Sequence, residues 1–267
     1  MEHLPDRELE PVLSGLLEGI RPALGENFLG AYLGGSFAHG GWHAYSDVDF
    51  NIVIAQDLHP SELEPLRVVH ARVFAIDRYY ARHLEGSYFP QPLLGDLSRT
   101  DAPIWYLDNG SLNFERSTHD NTLVNRWVLR ESGVVLAGPA PRHWIPEVPS
   151  KALKAEVLQT MQDWGGEILT GAYQIDNRFA QKYAVLMYCR MLHSLVTGEV
   201  GSKGAGAAWA KTALDPQWHP LIDNALSART DQYAKVYQPA DPDQIQATLA
   251  FIHDALREAG RLMNTTG

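Results

Sequence analysis

A Gly35-Ser36 pair, ten further residues and then Asp47-Val48-Asp49 constrain this chain more than any other stretch. Apolar residues lead into the glycines, from Phe28 to Leu33, and an alternating run of Phe50, Ile52 and Ile54 follows the acids. The spacing predicts a strand, a Gly-Ser turn, a short connector and a second strand that opens with Asp-x-Asp. Side chains alternate faces along a strand, so Asp47 and Asp49 are expected to point the same way. Two neighbouring carboxylates repel unless a cation lies between them. Mg²⁺ suits that place, because it prefers oxygen ligands and keeps waters and substrate phosphates in its shell. The backbone N–H groups of a turn at Gly35 and Ser36 can cradle a phosphate. The pattern predicts a metal site beside a triphosphate site.

Nucleotidyl transfer needs a held triphosphate, a cation on the α-phosphate and leaving group, and a base for the attacking hydroxyl. Ser36 and the turn amides answer the first need, and Asp47 and Asp49 the second. A third carboxylate is expected from a neighbouring strand, to complete the metal shell or to take the acceptor's proton. Glu85 is the choice. It lies in the alternating run His83 to Phe89, between Leu84 and the small Gly86, where a charge wants an ionic partner. It follows Asp49 by 36 residues, room for a helix and a return strand. Asp77 and Glu64 compete for the role but fall on expected helices or helix ends.

The formal net charge of −10 and the lack of a basic run argue against a nucleic-acid partner. An acidic protein can still bind a nucleotide, ATP here, through Mg²⁺, and the acidity suits a cationic small-molecule acceptor steered into an acidic cleft; solubility alone would also explain it. No apolar run reaches membrane-span length, and Met1 to Leu9 lacks a signal-peptide pattern, so no membrane association is expected. A single cysteine, Cys189, excludes an internal disulfide framework and fits a cytoplasmic protein. The sequence does not give the oligomeric state.

Helical periodicity marks Asp6 to Leu24, Pro60 to Phe74 and Asn121 to Glu131. Phe28 to Leu33, Val48 to Ile54, His83 to Phe89 and Ile104 to Leu107 read as strands, and Val134 to Ala137 as a short apolar run. Between Gly138 and Pro149 stand four prolines, which make this stretch the linker or domain boundary. Only helical patterns follow. Ser150, Asp176, Ser202 and Asp241 are expected N-caps, with Gln244 as reciprocal partner of Asp241 and Gly198 as the glycine that ends the second helix. The expected architecture is an α/β (α+β) domain with a short mixed sheet over residues 1–148, then an all-α helical bundle over 149–267, with the active cleft between them.

The Gly34-Gly35-Ser36…Ser46-Asp47-Val48-Asp49 motif resembles the signature of the polymerase-β-like nucleotidyltransferase superfamily. The second half is similar to the C-terminal domain of the aminoglycoside 3″/9-adenylyltransferases. That similarity rests on Val185-Leu186…Arg190…Ser194 to Gly198, then Lys203…Ala208-Trp209-Ala210, with Leu136 to Pro139 just before. The resemblance runs from about Ala31 to Trp209 and is thin between Ala55 and Ser132. It implies an enzyme of antibiotic resistance that transfers AMP from ATP, with Mg²⁺, to a hydroxyl of an aminoglycoside or aminocyclitol and releases pyrophosphate. It implies that Ser36 and Ser46 contact the nucleotide phosphates, that Asp47 and Asp49 hold Mg²⁺, and that Glu85 is the base. Lys203 would reach a phosphate and Arg190 would line the same cleft. Independently, a lysine just after a capping serine opposes the helix dipole, which a ligand phosphate would explain; an exposed surface lysine is the other reading, and a buried structural pairing is the other for Arg190. Arg178 to Lys182 departs from the family, whose drug-holding acids belong just there; the nearest acid is Asp176.

Other chemistry-bearing residues read as structural. His39 and His43 are four apart in a glycine-broken segment, a poor zinc pair. His119-Asp120 is expected to be a capping acid with a neighbouring histidine rather than a substrate contact. Trp105, Trp127, Trp164 and Trp209 read as core, and Cys189 as a buried small residue. Trp42, in the motif loop, and Tyr237 are the aromatic candidates for the cleft. Two other functions stay open: adenylylation of a protein or metabolite hydroxyl, and a silent nucleotide- or protein-binding domain.

Overall fold

The computed structural model describes residues 6–227 and 237–265. The chain divides into two compact units, Met1–Val148 and Pro149–Gly267.

In the first unit Asp6 accepts from the Glu8 amide at 3.0 Å and caps a single 3₁₀ turn that runs into α1 (Glu10–Leu24). There follow β1 (Phe28–Leu33), α2 (Gly35–Ala38), β2 (Val48–Ile54), α3 (Pro60–Phe74) and β3 (Leu84–Pro90). Then come α4 (Gln91–Leu94), β4 (Ile104–Leu107), β5 (Phe114–Ser117), α5 (Leu123–Ser132) and β6 (Val134–Ala137). Among the described residues the strands form one six-stranded sheet in the order β5-β4-β3-β2-β1-β6. It is mixed. β2 and β3 run parallel because α3 carries the chain back over the sheet, while the other neighbours are antiparallel.

The stripe Val12, Leu13, Leu16, Leu17 and Ile20 of α1 packs with Leu66, Val69 and Val73 of α3 and with Phe50, Ile52 and Tyr88 of the sheet. A second cluster joins Tyr32, Val53, Phe89, Leu129 and Ile145. Apolar residues above and below make the central strands buried along their length, which fixes their register. β5 escaped sequence reading for a physical reason. It is an edge strand, Phe114-Glu115-Arg116-Ser117, and buries Phe114 alone.

The proline-rich stretch is not a free tether. The Tyr32 hydroxyl donates to Pro139 O at 2.8 Å, and the Trp144 indole N–H donates to the same hydroxyl at 2.5 Å. Arg130 Nε donates to Ile145 O at 3.2 Å. This strap belongs to the first unit, and the divide falls after Val148.

The second unit holds α6 (Ser150–Thr170), α7 (Arg178–Thr197), α8 (Lys203–Ala213), α9 (His219–Ser227) and α10 (Pro242–Thr265). Ser202 caps α8 by accepting from Ala205 N at 3.1 Å, and α7 ends on a left-handed Gly198 with φ 75°. Two expected caps move by one residue. The Pro149 carbonyl accepts the first bond of α6, from Leu153 N at 3.0 Å, so Ser150 is already helical. The Asp176 carbonyl is taken by Ala240 N at 2.7 Å, and Asn177 Oδ1 caps α7 through Ala180 N at 2.8 Å. Asp241 caps α10 as expected, accepting from Asp243 N at 2.8 Å, but Gln244 Oε1 accepts from Asn224 Nδ2 at 3.1 Å instead of closing a capping box. The four tryptophans read as core are each half-buried. Among the described residues no helix is long and apolar enough to cross a membrane.

Candidate active site

The Gly-Ser turn is the opening of α2. Gly34 N donates to Asp49 O at 2.8 Å, which carries the β1–β2 pairing to its end. Gly35 then adopts φ 50°, a left-handed backbone that glycine takes without strain. A Cβ on Gly35 would overlap the Asp49 carboxylate, so the turn lies directly against that acid. The Ser36 hydroxyl oxygen beside it is buried with no hydrogen-bond partner among the described residues. A buried hydroxyl without a partner loses its hydration for nothing, and a ligand oxygen would satisfy it.

Asp49 and Glu85 are register partners across the parallel β2–β3 pair. Asp47 precedes β2 and accepts from Asn109 Nδ2 at 3.0 Å. Asn109 is held in turn by His83 Nδ1 at 3.0 Å, and the His83 ring stacks on Tyr79 at 4.1 Å. Burial, then the charge of Asp47, push the Tyr79 phenol up to about 12. Glu85 Oε1 accepts from the Tyr106 hydroxyl at 2.6 Å and lies 3.5 Å from His119 Nε2. Burial raises the Glu85 carboxyl above the usual carboxylate range; the Tyr106 bond opposes this, Asp47 and Asp120 add to it, and His119 opposes it. Asp120 is also raised by burial, against the pull of the Ser87 hydroxyl, which donates to it at 2.7 Å, and of His119. A carboxylate kept charged in this setting is a stronger proton acceptor than one in water.

The first unit gathers Gly35, Ser36, Ser46, Asp47, Asp49 and Glu85 at the ends of β1, β2 and β3. Ser46 is buried, and its hydroxyl oxygen accepts from His43 N at 3.0 Å, which closes the turn ahead of the acids. Arg190 and Lys203 belong to the second unit, on α7 and at the first position of α8. The Lys203 ammonium sits 4.6 Å above the Tyr183 ring. The competitors for the third carboxylate stand apart on the surface: Glu64 is 3.4 Å from Arg67, and Asp77 is 3.4 Å from Arg82. Among the described residues no three His, Cys, Asp or Glu side chains form a ready-made metal cage.

Sequence reading missed Tyr106 and Asn109 and took Asp120 for a helix cap. Thr122 caps α5 through Asn125 N at 3.0 Å, which frees Asp120 and His119 to face Glu85. Tyr106 and Asn109 lie on β4 and in the turn after it, where nothing in the local pattern separates a positioning side chain from an ordinary strand residue. Trp42 is exposed and stacks on Phe37 at 5.5 Å, and Tyr237 is exposed in the second unit. Cys189 is buried, and burial pushes its thiol up to about 12, so it is inert.

Residues 144–254 match the family described as the aminoglycoside adenylyltransferase C-terminal domain. An aminoglycoside (3″) (9) adenylyltransferase of Shigella flexneri is 24% identical over 262 residues, 88% of this chain and 90% of that protein. One of Rhizobium radiobacter is 24% identical over 247 residues, 84% of each chain. The crystal structure of spectinomycin adenyltransferase AAD(9) from Enterococcus faecialis with ATP and spectinomycin superposes with a TM-score of 0.70 at 15% identity, over 93% of this chain and 99% of that one.

Residues 144–254 thus carry the aminoglycoside adenylyltransferase C-terminal domain, and the chain as a whole is similar to the aminoglycoside (3″) (9) adenylyltransferases. The α/β unit with its mixed sheet and the helical unit match the fold of AAD(9). These similarities mark the chain as an enzyme of nucleotidyl transfer. In this chain the stretch from Arg178 to Lys182 carries two basic residues and no acid.

Proposed function

We propose that this enzyme transfers AMP from ATP to a hydroxyl of a small cationic acceptor, an aminoglycoside or aminocyclitol antibiotic, and releases pyrophosphate in the cytoplasm. The observation that carries the reading is the Asp49–Glu85 register beside Gly35 and the partnerless Ser36 hydroxyl. The names of the relatives and the ATP and spectinomycin in the AAD(9) crystal support it.

In this reading residues 1–148 are the nucleotidyltransferase domain. Asp47 and Asp49 would be the protein's Mg²⁺ ligands, with Glu85, the register partner of Asp49, as the candidate third oxygen donor. Mg²⁺ would draw the rest of its shell from water and substrate phosphates. Bound there, Mg²⁺ supplies charge neutralisation at the α-phosphate and the departing pyrophosphate. The Gly35 and Ser36 turn and Ser46 hold phosphate oxygens, while Arg190 and Lys203 are the helical domain's phosphate-binding cations. Glu85 takes the proton of the acceptor hydroxyl. The largely buried carboxylates of Glu85 and Asp120 match the positive charge of an amino sugar.

The missing acids between Arg178 and Lys182 favour a second reading, in which the chemistry is the same and the acceptor is a less cationic hydroxyl. One experiment tests both. Heat melts with ATP and Mg²⁺, with and without a panel of aminoglycosides and aminocyclitols, should show stabilisation by ATP and a further rise with a true acceptor. Pyrophosphate release over the same panel then identifies it. Release with no panel member, alongside ATP binding, would shift the assignment to the second reading. No stabilisation by ATP at all would refute both.

A further inference from the structure

We propose that Tyr106 is the positioning residue of Glu85: its hydroxyl engages Oε1 and so leaves Oε2 as the oxygen that takes the acceptor's proton. The inference rests on Glu85 being the base. It goes beyond that assignment by naming which oxygen works and what sets it.

The geometry comes from the sheet. Ser87 on β3 pairs with Tyr106 on β4 in antiparallel register, which makes Tyr106 a diagonal neighbour of Glu85. Aromatic side chains reach across such diagonals. The Tyr106 ring is buried, with 4% exposure, so the phenol is fixed by packing and not by solvent. A phenol carries one hydrogen. Two acceptors lie near it, Glu85 Oε1 at 2.6 Å and Asp108 Oδ1 at 3.2 Å, and the shorter contact receives the proton. The short distance is that of a charge-assisted O–H···O⁻ bond.

His119 Nε2 approaches the same Oε1, at 3.5 Å. Both side-chain partners of Glu85 therefore sit on one oxygen. Among the described residues Oε2 receives no hydrogen bond, and the Glu85 side chain keeps 17% of its surface open. An oxygen that already accepts a strong hydrogen bond is the weaker proton acceptor of the two. The open oxygen is thus both accessible and more basic. Ser87, the strand neighbour of Tyr106, fixes Asp120 through its own hydroxyl, so the other acid near Glu85 is also tied down.

Tyr106→Phe removes the hydroxyl and keeps the ring. In the full chain, with ATP and Mg²⁺ and with spectinomycin and streptomycin as probe acceptors, kcat should fall roughly 10- to 100-fold. KM for ATP and for acceptor should stay within about twofold, and the melting temperature within about 2 °C. Added to Glu85→Gln, the change should cost nothing more, because the hydroxyl acts only through that carboxylate. A crystal structure of ligand-free Tyr106→Phe should show the Glu85 carboxylate spread over more than one rotamer, a readout independent of turnover. Wild-type kcat in Tyr106→Phe, a loss confined to KM, or an unmoved Glu85 overturns the inference. A harmless Glu85→Gln sinks the base assignment itself, whereas a crippled Glu85→Gln with a harmless Tyr106→Phe sinks the positioning role alone.

Discussion

Asp49 and Glu85 stand opposite each other across the parallel strands β2 and β3, and a Cβ on Gly35 would overlap the carboxylate of the first. Three segments that are far apart in sequence are therefore locked into one small volume by strand register and by the lack of a side chain.

Gly35→Ala should expose that lock. The methyl group collides with the Asp49 carboxylate and strains a backbone at φ 50°. The expected cost is about 1–3 kcal/mol of stability. Activity should fall much further, by roughly 100-fold or more, because the displaced carboxylate is one of the proposed metal ligands. Urea melts and pyrophosphate release on the same preparation check the two numbers. A variant that loses stability and keeps its rate would detach Gly35 from the site.

His70 predicts how stability responds to acid. Its ring is buried between Phe50 and Phe114; Nε2 shares a hydrogen bond with the Tyr88 hydroxyl at 2.8 Å, and Nδ1 has no partner among the described residues. Burial lowers its pKa from 6.5 to about 4. The folded state thus holds the neutral ring, and the unfolded state takes up a proton first. The stabilisation is complete above the unfolded value and is lost as pH falls from about 6.5 toward 4, by about 3 kcal/mol in all. The double variant His70→Leu/Tyr88→Phe, which leaves no hydroxyl stranded, should flatten the urea midpoint between pH 7 and 4.5. An unchanged slope would assign the acid sensitivity to other groups.

Arg126 predicts which side chain fixes the loop that brings His119 and Asp120 to Glu85. It is fully buried on α5, and its guanidinium donates to Asp96 O at 2.6 Å and to Asn121 Oδ1 at 2.5 Å. Asn121 then donates to Arg99 O at 2.8 Å and to Ala102 O at 2.7 Å. Arg126→Met should cost roughly 3 kcal/mol, since these buried acceptors lose a charged donor. Protection of the 96–121 backbone in hydrogen exchange should drop with it, and loss of protection spread evenly over the chain would argue against a local clamp.

The strands that carry the site were legible because they are central and apolar on both faces. Phe28–Leu33 and Val48–Ile54 appear with the limits their sequence pattern suggests. Glu85 was legible for the same reason, as a charge inside an apolar strand. Tyr106, Asn109 and Asp120 were not. Their roles depend on which residue faces which across β3, β4 and the start of α5, and no local period encodes a register between distant segments. Asp120 was also hidden by a rival: as an acid ahead of a helix it resembles a cap, and only the Thr122 hydroxyl at that place shows it to be spare. Asp176 misled in the opposite way. Its carbonyl is drawn to Ala240, a partner 64 residues on, so the next residue became the cap.

The central claim is that Asp49, with Asp47, binds a divalent ion that also contacts a nucleoside triphosphate. Calorimetric titration of ATP into wild type and Asp49→Asn, each with Mg²⁺ and with EDTA, tests it most directly. Tight binding by the wild type only when Mg²⁺ is present, and no Mg²⁺ effect in an Asp49→Asn protein that melts normally, is the predicted result. An Asp49→Asn protein that binds ATP as well as the wild type, with the same dependence on Mg²⁺, would contradict it.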